Sequence, residues 1–171
     1  MAVTLTPLAK ADPNAVEALL DAAFGADRRG RTAYRLREGA SAIPALSFAA
    51  WEGERLVGTL QSWPVALRAA QGVDQVVMVG PVAVAPDVQN AGIGKALMQA
   101  LLAAADAAGA GALMMIGDPE YYERFGFTAA PAAGWRIDGP YEQRRLLARV
   151  RREVAKEGEL ISIRHPELVS G

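Results

Sequence analysis

The chain has 171 residues, 51% of them hydrophobic, which is enough to bury a substantial core; it reads as one domain, because two would leave each half marginal. Its 18 basic and 19 acidic side chains leave a formal net charge of -1, which excludes a global field that recruits nucleic acid or an acidic membrane. With no cysteine, disulfide frameworks, thiolate metal sites and a cysteine acyl-enzyme are excluded as well.

The N-terminal "MAVTLTPLAKADP" lacks the basic segment and apolar core of a signal peptide, and no run approaches the roughly 20 apolar residues of a membrane span. A soluble, cytoplasmic protein without a membrane partner is the expectation. In chain order, "VTLTPLA" alternates as a short strand does. Asp12 and Pro13 then supply an N-cap and a first-turn proline for a helix that runs to Phe24 and stops at Gly25. The arginine-rich "GADRRGRTAYRLREGAS" reads as a loop and a second short helix, exposed and charged. Two strands follow, "ALSFAAWE" and "RLVGTLQSWPVALR", joined around Gly53 in a hairpin.

"QVVMVGPVAVAP" is apolar almost throughout, which predicts a central strand buried on both faces. Gly80 and Pro81 inside it predict a bulge or splayed point, since proline has no amide hydrogen and glycine weakens a ladder. Backbone freed from its neighbour there is able to bind something else. From Ile93 the apolar positions Ala96, Leu97, Ala100, Leu101, Ala104, Ala105 and Ala108 recur at helical spacing until Gly109 and Gly111. "ALMMI" is a further buried strand, so strand, crossover helix and strand predict a right-handed parallel unit. Asp118 and Pro119 cap a helical turn carrying "YYERF", Gly126 ends it, and "GFTAAP" returns to extended chain. The tail adds one or two strands; "RRLLARVRR" within it alternates like a strand with a solvated face and does not signal nucleic acid.

The stretch "DVQNAGIGKAL", Asp87 to Leu97, carries the strongest chemistry. A helix that starts just after a glycine-rich loop presents unpaired amides and the positive end of its dipole, and so forms an anion site. Gly92 and Gly94 let phosphate oxygens reach the backbone with no Cβ in the way. Lys95 stands in the first turn, where a cation is unfavourable unless an anion shares the site. A lone GxG also serves as a plain strand-to-helix joint, and spacing alone leaves both readings open.

Two motifs in sequence narrow the choice. Gln89, Gly92 and Gly94 stand as Q-x-x-G-x-G between a broken strand and an amphipathic helix, which resembles the acyl-CoA-binding motif of the GNAT superfamily of N-acetyltransferases. Downstream, "YYERFGF", Tyr121 to Phe127, resembles that superfamily's FYxxxGF segment, with Tyr122 at the tyrosine. The resemblance covers Val76 to Phe127. It implies an α/β (α+β) fold of the GNAT acyl-CoA N-acyltransferase type, a mixed and mostly antiparallel central sheet with a splayed parallel strand pair, flanked by helices.

It implies further that acetyl-CoA is the co-substrate. Val82, Ala83 and Val84 would lend backbone to its pantetheine arm, and Gln89, Asn90, Ala91, Gly92, Ile93, Gly94 and Lys95 would ring its pyrophosphate. Tyr122 takes the place of the acid that protonates the departing CoA thiolate. The implied reaction is direct attack of a primary amine, on a small molecule or a peptide, in a ternary complex; homodimers are compatible with the family.

The chain departs from the pattern in one place. The superfamily's asparagine ahead of the tyrosine has no counterpart in the compressed "IGDPEYY", so its contact is not carried over. Asp118 reads as a helix cap and Glu120 as a first-turn charge, and no acidic residue lies between Gln75 and Pro86, so ordered water is the expected route for the amine's proton. His165, the one histidine, has no partners for a metal site or triad, and no metal is expected. Phe24, Tyr34, Trp51 and Trp63 read as core residues that can also wall an acceptor pocket. Two other classes stay open: a non-catalytic acyl-CoA-binding or sensor module in which Tyr122 only packs, and a dinucleotide-binding oxidoreductase. Against the latter, Leu97 stands where G-x-G-x-x-G needs glycine or alanine. Which amine is acetylated does not follow from the fold.

Overall fold

A computed structural model describes residues 2–169. Its elements are β1 (Thr4–Pro7), α1 (Pro13–Phe24), α2 (Thr32–Leu36), β2 (Phe48–Glu52), β3 (Arg55–Ala69), β4 (Gly72–Val84) and α3 (Ile93–Ala108). Then come β5 (Ala112–Ile116), α4 (Pro119–Tyr122), β6 (Gly134–Ile137), β7 (Leu146–Val150), β8 (Glu157–Ser162) and α5 (Pro166–Val169). The strands pair in the order β1-β2-β3-β4-β5-β7, and β8 joins both β3 and β6. Pairs β4–β5 and β6–β8 are parallel, while β1–β2, β2–β3, β3–β8 and β5–β7 are antiparallel. This is the mixed, helix-flanked sheet with a parallel pair that the motifs imply. Among the described residues no helix is long and apolar enough to cross a membrane.

The chain gathers into two units, each with its own core. The first comprises the N-terminal stretch to Gly30, Ala42–Ser62 and Val79–Ala108; the second comprises Arg31–Ser41, Trp63–Met78 and the chain from Gly109 onward.

In the first unit, α1 begins as its sequence dictates. The Asp12 carboxylate accepts the Asn14 amide at 3.0 Å, Pro13 opens the first turn, and Gly25 ends the helix at φ 94°. Val16, Leu19 and Leu20, spaced to share one face, bury against Ala11, Ala49, Ala83 and Ala85. Complete burial of a side chain such as Leu20 is worth about 1.5–3 kcal/mol relative to leaving it in water. On α3 the buried residues are Ile93, Leu97, Met98, Leu101 and Ala105, again one stripe. Ser47 and Ser62, both buried, satisfy each other's surroundings: the Ser62 amide donates to Ser47 Oγ at 3.1 Å and Ser62 Oγ donates to the Leu46 carbonyl at 2.7 Å. One expectation is corrected here. Arg28 is buried, not exposed, because Glu17 and Asp21, one turn apart on α1, both accept from its guanidinium.

In the second unit the core gathers Val76, Met78, Met114, Leu146, Ala148 and Leu160 around Trp135, whose indole N–H donates to the Ala155 carbonyl at 2.9 Å. Strand β7 has no solvated face: Leu146 to Arg149 are all buried, since β5 pairs along one edge and side chains cover both sides. "GFTAAP" is not extended either. It makes a single bridge, Thr128 to Ala148, and then coils into a 3-10 turn over Ala130–Ala132 that Pro131 favours. Strand β6, four residues long, pairs in parallel with β8 from Gly134–Glu157 to Ile137–Leu160.

Strand β4 is less buried than its composition predicts. Val76, Met78, Val79 and Ala83 are buried, but Val77, Val82 and Val84 are only half-buried. Its parallel ladder with β5 comprises Val77–Leu113 and Met78–Met114 and ends there, just ahead of Gly80 at φ 128° and the cis Gly80–Pro81 peptide. The strand itself continues to Val84. The expected splay is therefore an end of pairing with β5, not a break in β4.

Candidate functional site

In the first unit, the end of β4 leads through a tight turn into α3. The Ala85 amide donates to the Val57 carbonyl on β3 at 2.8 Å. Because N–H groups alternate sides along a strand, the amides of Val82 and Val84 are directed to the opposite edge of β4, and that of Ala83 to the β3 edge. The turn over Pro86–Val88 is closed by Val88 donating to the Ala85 carbonyl at 3.0 Å and Ala91 donating to that of Val88 at 3.3 Å. Gly92 then takes φ 80°, a left-handed conformation that favours glycine, and a Cβ added there would meet nothing within 4 Å.

The first intrahelical bond runs from the Ala96 amide to the Gly92 carbonyl at 3.1 Å. Among the described residues the amides of Gly92, Ile93, Gly94 and Lys95 have no backbone acceptor. They stand at the positive end of a 16-residue helix, with open space at Gly92. Gln89, Asn90, Ala91, Gly92 and Lys95 are exposed, Gly94 is half-buried, and Ile93 sends its side chain into the core while its backbone stays in the turn. An anion suits this geometry.

One acidic residue nearby is neutralised. Arg55 grips Asp87 in a two-pronged pair at 2.9 and 2.6 Å, which holds the exposed Asp87 carboxyl below its ordinary range and sets a positive charge beside the negative one. Sequence reading did not single out this pair, which joins residues 32 apart.

In the second unit, Tyr122 closes a short capped helix. The Asp118 carboxylate accepts the Glu120 amide at 3.3 Å, the Asp118 carbonyl accepts those of Tyr121 and Tyr122 at 3.1 and 2.9 Å, and Gly126 at φ 87° ends the turn. The Tyr122 ring meets Tyr121 edge-on with centroids 4.9 Å apart and lies 6.4 Å from Phe125. It also covers Gly117, where an added Cβ would stand 2.9 Å from ring atoms Cδ2 and Cε2. Burial pushes the Tyr122 phenol up to about 12, with Tyr121 and Asp118 adding to the effect. Its hydroxyl has no hydrogen-bond partner among the described residues, so a protonated donor is left available.

The carboxyls at the start of this helix differ in strength. The neighbouring Asp118 carboxyl, the backbone and Arg144 lower Glu120 to about 2, while the Glu120 carboxyl raises Asp118.

The remaining candidates lie in packed or turn positions. Phe24 and Trp51 pack on the first core, with the Trp51 indole donating to Thr6 Oγ1 at 2.8 Å. Trp63 packs on the second core and, with Tyr34, stacks on the Arg37 guanidinium at 4.4 and 3.7 Å. His165 donates its amide to the Ser162 carbonyl at 3.1 Å as the chain turns after β8. Among the described residues no group of three or more His, Asp or Glu side chains is placed to hold a metal ion.

Residues 4–130 match a sequence model described as an acetyltransferase (GNAT) domain. Among solved structures, a GNAT family N-acetyltransferase from Escherichia coli in complex with CoA is similar with 25% identity and a TM-score of 0.72, over 93% of this chain and 87% of that one. A GNAT family acetyltransferase from Brucella melitensis in complex with acetyl-CoA shares the fold, with 24% identity and a TM-score of 0.67 over 94% of this chain and 95% of the other. No curated protein matches the sequence.

Proposed function

The chain belongs to the GNAT family of acetyltransferases, and from that premise we propose that it transfers an acetyl group from acetyl-CoA to a primary amine of a small molecule or peptide by direct attack. The observation that carries this reading is the set of four amides, Gly92 to Lys95, that among the described residues have no backbone acceptor at the start of α3, with open space at Gly92. Those amides, with Gln89, Asn90 and Ala91 in the turn before them, would hold the pyrophosphate. Val82 and Val84 would pair with the pantetheine arm through the edge of β4 that faces away from β3. Ala83 serves as the spacer between them, because its own amide is directed toward β3.

Bound acetyl-CoA supplies an activated thioester carbonyl. A backbone amide of β4 directed at that carbonyl oxygen would stabilise the negative charge that develops as the amine nitrogen bonds to carbon, a contribution often of about 3 kcal/mol. The carbon–sulfur bond breaks, and the Tyr122 hydroxyl would donate a hydrogen bond to the departing thiolate, which takes its proton from solvent. At about 12 the phenol holds its proton far above the ordinary thiol range of about 8.5, so Tyr122 acts foremost as a hydrogen-bond donor to the leaving sulfur. The amine loses its proton to ordered water.

Calorimetric titration with CoA, acetyl-CoA and NADH, followed by thiol-release assays on a panel of amines, tests this. Micromolar binding of the CoA compounds alone, with thiol release for at least one amine, is the expected result. Binding without thiol release would leave a CoA-binding module, and no CoA binding would return the glycine turn to a structural joint.

A further inference from the structure

Gly58 lies within β3, opposite Ala50 of β2. Glycine inside a strand weakens it, so the position calls for a reason. Conformation is not that reason, because Gly58 is absent from the glycines with positive φ. Space is. A Cβ at residue 58 would stand 2.8 Å from Cγ2 of Ile93, 3.1 Å from Cδ1 of Leu97 and 3.3 Å from the carbonyl oxygen of Ala83.

Each of these three neighbours belongs to the donor side of the site. Ile93 and Leu97 are one turn apart on α3, 1% and 0% exposed, and Ile93 is the residue with which the helix begins. As a β-branched residue in a helix, Ile93 has one strongly preferred χ1, so its Cγ2 cannot swing aside without moving the helix. The isoleucine whose methyl rests over Gly58 also offers one of the unpaired amides. Ala83 lies between Val82 and Val84 on β4.

Taking those amides as the CoA site, as proposed above, we infer that Gly58 is a positioning residue for the acyl donor: its missing side chain seats the first turn of α3 on β3 and so fixes where the amides of Gly92 to Lys95 stand. Gly58→Ala keeps an allowed backbone and inserts one methyl group. It lifts the start of α3, since an extra methyl group in a packed contact forces its neighbours to shift, and the affinity for CoA falls.

The test compares CoA affinity by calorimetry in the unaltered protein, Gly58→Ala, Ile93→Leu and the double variant Gly58→Ala with Ile93→Leu, and follows the backbone amide NMR shifts of residues 92–95 in each. Leucine at 93 keeps the volume of isoleucine and removes the Cγ2 methyl that the alanine would strike. Weakened binding and displaced amide shifts in Gly58→Ala, both restored in the double variant, are the expected result. If the unaltered protein binds CoA and Gly58→Ala binds it equally well, the role of Gly58 is overturned alone. If the unaltered protein does not bind CoA, the reading of the amides falls and the role of Gly58 falls with it. Should Gly58→Ala fold poorly, recovery of folding and binding in the double variant supports the contact, and a double variant as impaired as the single one overturns it.

Discussion

The turn into α3 and the turn carrying Tyr122 are both short stretches that follow a strand and use a glycine at positive φ, yet they present opposite chemistries. At the start of α3 only Ile93 turns its side chain into the core, and among the described residues the amides of Gly92 to Lys95 have no backbone acceptor. At α4 the cap is filled by Asp118, the amides of Tyr121 and Tyr122 are taken by the Asp118 carbonyl, and one aromatic side chain is fixed by its neighbours. A region that offers its backbone must leave hydrogen bonds unmade; a region that offers a side chain must make them all and hold the ring still.

Substitutions that exchange these roles should therefore separate cleanly. Tyr122→Phe keeps the ring and removes the hydroxyl, so turnover should fall by roughly a hundredfold, the low end for loss of a positioned acid, with acetyl-CoA affinity unchanged. Steady-state kinetics paired with calorimetry reads both; equal turnover would make the α4 region purely structural. Since burial keeps the phenol protonated to about pH 12, any alkaline decline in rate below pH 11 should persist in this variant. Gly92→Val should do the converse. Forcing a branched residue to φ 80° costs about 1–2 kcal/mol of stability and weakens CoA binding, with melting and calorimetry as the readouts.

A smaller effect is expected at Gly117, where an alanine methyl would press on the Tyr122 ring. Gly117→Ala should slow turnover several-fold in the unaltered protein and do nothing further once Tyr122 is phenylalanine, a non-additivity that a double-mutant cycle measures. The smallest change lies away from both turns. Thr59 is fully buried and among the described residues its hydroxyl has no hydrogen-bond partner, so Thr59→Val should raise stability by about 1 kcal/mol in chemical denaturation and leave CoA affinity alone.

Much of this was legible because its causes are local. Asp12, Pro13 and Gly25 delimit α1, and Asp118 and Gly126 delimit the Tyr122 turn, since caps and left-handed glycines act within a few residues. The stripe from Ile93 to Ala108 needed only its own periodicity. What escaped depends on distant chain. "GWRI" is too short to display a period, and it becomes β6 only because β8 offers an edge. Arg149 and Arg28 sit at positions that read as solvated, and both are buried by segments far away or one helix back. Gly58 reads as an ordinary weak point in a strand until Ile93 is seen above it; glycine within a strand pattern was the available signal.

The three tryptophans divide between the two cores. Trp51 packs on the first, while Trp63 packs on the second around the fully buried Trp135. The molecule thus carries an intrinsic optical label for each unit. A protein retaining Trp51 alone and one retaining Trp135 alone would follow the melting of each core by emission wavelength, and coincident midpoints would make the chain one cooperative folding unit.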